Sequence, residues 1–403
     1  MSHRGRPDSQ ILGFGQRTGV ASAALANGLM AHALEYDDTH NETLVHASVI
    51  SVTTALAAGA RQHATGKDIV TAIAGGNELS CRLGVVAPGV LLENGYHPTA
   101  VIGIFGATYL TCKLLNLSPE LTTNAVGLTG SMTSGSMACW TDNTHAKTMH
   151  PGWAAHSGII AALLAQEGLT GPGGIFEGHW GFFSSHVQQP DYSLQFSRLM
   201  ADIGEEWESR NLSFKPYPVG HVSHPFLDAI LYLRQHENLR AADVQRITCI
   251  VHPDWIPVVC EPAEEKLHPK SAWHGRISLQ YTLAEALYHG RLDIHSYSTT
   301  SLTNPDILAL AKRIIIESDP LPTSRRQFKG WVSVDTRQGK HLERIEEFNR
   351  GSHENPMTQN EIVQKFRVNT QEIISEASAN SIIDAVMNIE KCNDINDIMQ
   401  LIP

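Results

Sequence analysis

VASAALANGLMAHALE, residues 20–35, decides the fold class. Ala21, Leu25, Leu29 and His32 recur at steps of three and four, the spacing of one face of an α-helix, and the Ala, Ser and Gly between them let a second helix approach closely. Two further segments, PTAVIGIFGATYLTCKLL (98–115) and GWAAHSGIIAALLAQEG (152–168), are apolar almost all round, the second closed by Gly168 as a helix-ending glycine. Such helices belong inside a large bundle. After about Phe214 the texture changes. Pro225 opens the helix PFLDAILYLRQH, RITCIV alternates Ile247, Cys249 and Val251 as a half-buried strand, and Pro305 opens another helix ahead of the strand GWVSVD. The tail returns to helices: Thr358 and Glu361 have capping-box spacing, and EIISEASANSIIDAVMNIE carries a helical stripe. The predicted class is mainly α, with a large all-helical domain built from both ends of the chain (residues 1–213 and 351–403) and a smaller inserted α+β domain (214–350).

The 403 residues, 42% hydrophobic, are enough for two domains with real cores. Net charge is -11 with Lys and Arg scattered, which leaves no footprint for nucleic acid or an anionic membrane. An anionic substrate must therefore be held by a few placed residues. The six cysteines lie far apart with no CxxC pair, arguing for reduced thiols rather than a zinc knuckle or disulfide framework. The longest apolar runs fall short of a membrane span, and the opening MSHRGRPDSQ lacks the apolar core of a signal peptide. These features predict a soluble cytoplasmic protein.

There is no Walker A lysine motif, dinucleotide glycine loop, HExxH or GxSxG elbow. What remains is five polar islands rich in histidine. In HALEYDDTHNETLVHAS (32–48), Glu35, Asp37, Asp38, His40 and His46 follow a helix ending near Glu35; they suit proton transfer at a pocket mouth, or equally the caps and turns of a solvated loop. NGYHPTAV puts His97 just before Pro98, a helix N-terminus that lowers an imidazole's pKa; the alternative is a partly exposed cap. WTDNTHAKTMHPGWAAHSG carries His145, Lys147, His150 and His156, with Lys147 either a carboxylate clamp or a base of depressed pKa. Despite 21 histidines in the chain, no carboxylate stands at paired ligand spacing with these, so no metal site is expected. KPYPVGHVSHP presents Lys215, His221 and His224 on a stiff loop, or is simply a linker. In WHGRISLQYTLAEAL, Arg276 can grip a carboxylate bidentately and Tyr281 can donate a phenolic hydrogen bond or serve as core. Together the islands suit proton abstraction or delivery next to a carboxylate, with cations holding an anion.

AHALEYDDTHNETLVHAS, NGYHPTAVIGIFGAT, AKTMHPGWAAHSGIIAALLAQEGLTGP, KPYPVGHVSHPFLDA and SLQYTLAEAL come in the order and approximate spacing of the MmgE/PrpD family, which the chain resembles from about Ala21 to its end. That family includes 2-methylcitrate dehydratase, cis-aconitate decarboxylase and iminodisuccinate epimerase. The resemblance implies a cofactor-free enzyme, usually a homodimer, with an all-helical domain and an α+β lid whose interface forms the active site. Position by position it puts the acid ahead of DDT on Glu35, the threonine on Thr39, a histidine on His46, the histidine before the next helix on His97, the KxxH lysine on Lys147, the lid-loop histidine on His221 and the SxQY tyrosine on Tyr281. Three departures stand out. Glu35 replaces the more usual Asp, the chain begins later than the family pattern leads one to expect, and the DTWLAAEWGHPSD element of the dehydratases is absent.

The expected function is a lyase acting on a small di- or tricarboxylic acid, decarboxylase-like or dehydratase-like. The alternatives are an epimerase of an amino- or imino-dicarboxylate and an inactive carboxylate-binding relative. Lys147, His97, His221, His46 and Tyr281 are the catalytic candidates, with Lys147 and His97 or His221 as acid and base. Glu35, Asp38, Thr39, His150 and Arg276 are the candidates for holding the substrate. No cofactor, no metal, and a homodimeric state are expected.

Overall fold

The computed structural model describes residues 6–142, 144–189, 191–322, 324 and 327–403, with the backbone alone at 141 and 142. The chain divides into two compact units: one holds the chain up to Ala33, Asp37–Leu212 and Thr370–Pro403, the other Leu34–Tyr36 with Ser213–Asn369.

The first unit opens with a short hairpin, β1 (Ser9–Ile11) against β2 (Gln16–Thr18), and continues into helices α1 (Val20–His32), α2 (Ala47–Gln62), α3 (Gly66–Gly84), α4 (Pro98–Leu114), α5 (Pro119–Thr129) and α6 (Ala146–Gln166). Helix α1 stops at His32, three residues before the expected end, because Glu35 turns into the left-handed region with φ 53°. At the far end of α6, Gly168 takes φ +92°, the conformation that ends a helix. Helix α4 is buried along nearly its whole length, as its all-round apolar sequence requires. Close approach is built from small residues: a Cβ on Gly152 of α6 would lie 2.3 Å from the Leu25 carbonyl oxygen of α1, and one on Gly106 of α4 would lie 2.5 Å from the Gly76 carbonyl oxygen of α3. An apolar core of Ala, Val, Ile, Leu and Phe runs through these helices, with a smaller cluster of Cys112, Ala125, Ala162 and Ala165 where α4, α5 and α6 meet.

The second unit holds α7 (His224–His236), α8 (Leu279–His289) and α9 (Pro305–Ala311) around a four-stranded sheet of β3 (Val244–Val251), β4 (Ile314–Ser318), β5 (Gly330–Thr336) and β6 (His341–Glu346). Its order is β4-β3-β5-β6, with β3 parallel to β4 and the other pairs antiparallel. Strand β5 alternates buried and half-buried residues, and Gly330 at its start lets the Pro225 backbone of α7 come within 2.4 Å of where a Cβ would stand. Leu34–Tyr36 is tied into this unit: Lys215 Nζ donates to the Glu35 carbonyl (3.2 Å), Tyr36 donates its hydroxyl to the Pro216 carbonyl (2.8 Å), and Lys365 Nζ donates to the Tyr36 carbonyl (2.9 Å).

Helix α10 (Gln359–Thr370) begins with the predicted Thr358–Glu361 capping box. The next stripe starts later than expected, as α11 (Glu376–Met387), because the Ser375 side chain caps it by accepting from the Ser378 amide (3.1 Å). Helix α12 (Ile395–Met399) then returns to the first unit, where Ile395 donates its amide to the Ala64 carbonyl and Asn396 donates to the Ala60 carbonyl. The architecture is the predicted one, a helical body made from both ends of the chain with an α+β part. Among the described residues, no helix is long and apolar enough to cross a membrane, and all six cysteines are free thiols.

Candidate functional site

In the first unit four helix ends bring their histidines together. His32 is the last residue of α1, His46 caps the start of α2, His97 caps the start of α4 ahead of Pro98, Lys147 lies in the first turn of α6 and His150 follows at the start of its second. The ring centroids of His32 and His46 are 5.2 Å apart, those of His32 and His97 5.8 Å, and those of His97 and His150 5.1 Å. All five side chains are buried. A loop turning at Gly135 closes one side: its carbonyl accepts the His97 amide at 2.8 Å, and its φ of +147° leaves only 2.4 Å between a Cβ and Ala100.

Hydrogen bonds fix which ring nitrogen carries hydrogen. The Asp38 carbonyl can only accept, so His46 donates Nδ1–H to it at 2.7 Å, with Thr39 Oγ1 at 3.1 Å, and Nε2 is the nitrogen left for acid–base chemistry. The Asp37 carboxylate accepts Nδ1–H of His32 at 2.7 Å and lies 3.6 Å from His46 Nδ1. His97 and His150 face each other through Nδ1 at 3.0 Å, so one ring donates and the other accepts. Burial, then the charge of Lys147, holds His97 well below the ordinary imidazole value. Burial, then His32 and Lys147, lowers His150 to about 4. His97 is therefore neutral at pH 7, as its place at a helix start suggested, but burial is the first cause. Asp38 accepts from both the amide and the hydroxyl of Ser48 and so caps α2. The DDTH stretch is thus a buried frame: Asp37 holds His32, Asp38 and Thr39 hold His46, and His40 bonds Thr43 and Glu208.

The second unit groups the other candidates. The Glu35 carboxylate stands 3.6 Å from Lys215 Nζ, both buried. Burial lowers the Arg276 guanidinium, opposed by Tyr297, whose ring it faces at 5.8 Å, and by Glu35. Tyr281 is wholly enclosed 6.1 Å from the Tyr297 ring, and burial, then Glu285, pushes its phenol far up, so it can donate its O–H but not ionise near neutrality. Glu285 accepts the Tyr297 amide at 2.9 Å. The Gly220 amide donates to the Arg276 carbonyl at 2.8 Å, which sets His221 beside the arginine along the chain. Asn349 donates its amide to His221 Nε2 at 2.9 Å and leaves the neutral ring its hydrogen on Nδ1. His224, 4.7 Å from His221 between ring centroids, is held well below its usual value by burial and then by Lys215.

The structure therefore gathers His46, His97, His150, Lys147, Asp38 and Thr39 in the first unit, and Glu35, Arg276, Tyr281 and His221 in the second. Sequence reasoning placed Asp37 in the first polar island without a partner for it, and did not single out His32, Glu285 or Asn349 as site residues. His32 stood in the stripe of α1 and was read as part of its packing face, although its position in the last turn beside an acidic run was a usable signal. Asn349, in FNRG, carries no pattern that points to His221. Among the described residues no group of three or more His, Cys, Asp or Glu is arranged to hold a metal ion. A cavity of ≈ 350 Å³ elsewhere in the first unit, lined by Phe183, Val187, Gln189, Tyr192 and Leu194 among others, contains no lysine, histidine or acid.

Comparison with known proteins points one way. Residues 1–195 match the MmgE/PrpD N-terminal domain and residues 217–391 the MmgE/PrpD C-terminal domain. The chain is similar to cis-aconitate decarboxylase of Aspergillus terreus, 27% identical over 98% of this chain and 83% of that protein. It is similar to cis-aconitate decarboxylase of Homo sapiens, 26% identical over 94% of this chain and 79% of that protein. It is also similar to a cis-aconitate decarboxylase-like protein of Aspergillus oryzae, 25% identical over 97% of this chain and 84% of that protein.

Proposed function

The chain belongs to the MmgE/PrpD family, and from that premise we propose that it is a cofactor-independent lyase that decarboxylates a small polycarboxylic acid of the cis-aconitate kind. The observation that carries this reading is the buried set of Lys147, His46, His97 and His150, one lysine among imidazoles of which His97 and His150 are held neutral. Similarity over nearly the whole chain to proteins named cis-aconitate decarboxylase supports the choice of substrate class.

In such a reaction the bond to one carboxylate carbon breaks and carbon dioxide leaves. The electron pair spreads through the adjacent double bond toward a neighbouring carboxylate, and a proton is added to carbon. The substrate is its own electron sink, so the protein must hold an anion and deliver a proton. Lys147 pairs with a substrate carboxylate, aided by the amide-rich starts of α2, α4 and α6. An imidazole, His46 once it has taken up a proton at Nε2 or His97, delivers the proton to carbon and returns to its neutral form. Within the second unit, Arg276 is the group suited to grip a carboxylate, with Glu35 setting the charge around it.

Proton NMR of the purified chain in D2O with cis-aconitate, 2-methylcitrate and iminodisuccinate, beside Lys147→Ala, tests this. Loss of a carboxylate from cis-aconitate, with a silent control, is the expected result. Loss of water from 2-methylcitrate, or exchange at carbon without conversion of iminodisuccinate, would move the protein to the dehydratase or epimerase reading. Binding without turnover of any of them would leave a carboxylate-binding protein.

A further inference from the structure

Each decarboxylation consumes one proton, and most of the first unit's rings are poorly placed to keep it. His97 and His150 share a single Nδ1 hydrogen at 3.0 Å, so a second proton there breaks their bond. The Nδ1 hydrogen of His46 is committed to the Asp38 carbonyl. His32 differs on both of its nitrogens. Its Nδ1–H is given to the Asp37 carboxylate at 2.7 Å, a contact that strengthens when the ring is charged, and its Nε2 is buried with no hydrogen-bond partner. An orphaned buried nitrogen is costly unless it has a use. The groups facing this ring are Asp37 and His46 from the following loop, His97 from α4 and His150 from α6, and Lys147 acts on His97 and His150. Of these, Asp37 is the one that neutralises a charged imidazole directly.

We propose that His32, held by Asp37, is a positioning residue that stores the proton the reaction consumes on its Nε2 and supplies it to the substrate-facing rings, His46 and His97. This rests on reading the cluster as a proton-transfer site. No bond to substrate forms at His32. His32 first passes its Nε2 proton to the substrate-facing ring, that ring's new N–H breaks as the C–H bond forms and the ring returns to neutral, and solvent returns one proton to His32 when product leaves.

The full chain labelled with 15N-histidine, observed without substrate, tests the proposal independently of turnover. His32, assigned with His32→Gln, should carry hydrogen on Nδ1 in a strong hydrogen bond that Asp37→Asn weakens, read in its 15N and downfield 1H shifts. A His32 ring with no hydrogen on Nδ1, or shifts indifferent to Asp37→Asn, overturns it. In turnover, Asp37→Asn and His32→Gln should lower kcat on the order of 100-fold, displace the pH profile and leave KM within about twofold. A parallel loss of kcat, KM and thermal midpoint with an unmoved pH profile would mean a structural role only, and also overturns it. If the wild-type chain turns over none of the acids, the lyase reading fails, while the 15N and 1H shifts still decide the place of His32.

Discussion

His97 and His150 meet through Nδ1, and their environment makes acid the enemy of this fold. An unfolded imidazole takes up its proton near pH 6.5, whereas folded His150 refuses it until about 4, and folded His97 is likewise held well below the ordinary value by burial. Between those values the unfolded chain binds more protons, so stability is full above about pH 6.5 and falls as pH drops, by about 1.4 kcal/mol per pH unit for each such ring. Asp228, raised to about 6 chiefly by burial, acts in the opposite sense, because its folded form keeps a proton the unfolded form has lost. The difference between wild type and His150→Gln therefore carries the test: urea midpoints at pH 7.5, 6 and 5 should converge as pH falls. Parallel lines would contradict the assignment. For His221 the decisive neighbour is Asn349, and Asn349→Leu should cost about 1–2 kcal/mol in denaturant unfolding while freeing the ring to change tautomer, visible in its 15N shifts. At this scale the sequence showed the acids and imidazoles of the opening islands but not which held which. The pairs His32–Asp37 and His97–His150 depend on helix ends that meet only in the fold.

At the scale of elements, the site depends on how closely α1 and α6 approach. Gly152 lies two residues beyond His150, and a Cβ there meets the Leu25 carbonyl at 2.3 Å, backbone that cannot swing away. Gly152→Ala should cost about 1–3 kcal/mol and reduce activity by displacing His150 and Lys147. Gly174→Ala, where a Cβ meets nothing within 4 Å, should leave both unchanged; equal effects of the two substitutions in thermal unfolding would contradict the packing argument. The helices were legible because small residues, prolines at first positions and capping side chains are local signals. Helix α1 was overrun by three residues because the positive φ of Glu35 leaves no mark in the residue type. Strands β4 and β6 went unnoticed because they are the sheet's edges and mostly exposed, so their alternation is weak.

Across the whole molecule, the chain's end completes the first unit. Ile395 and Met399 of α12 are buried, and Asn396 bonds the end of α2. Ending the chain at Met387 should lose on the order of 3–6 kcal/mol of apolar burial and lower the thermal midpoint by several degrees. An unchanged midpoint would show that the tail only decorates the surface. The helical and α+β textures were legible on either side of Phe214 because periods of 3.6 and 2 differ along the chain, whereas the inclusion of Leu34–Tyr36 in the second unit depends on Lys215 and Lys365, far away in sequence. The proposed decarboxylation by the Lys147 cluster is tested most directly by release of labelled carbon dioxide from carboxyl-labelled cis-aconitate with wild type and with a folded Lys147→Ala chain. Wild type should release one equivalent of carbon dioxide per substrate consumed and the variant none. Equal release from both, or intact cis-aconitate with the wild type, would contradict it.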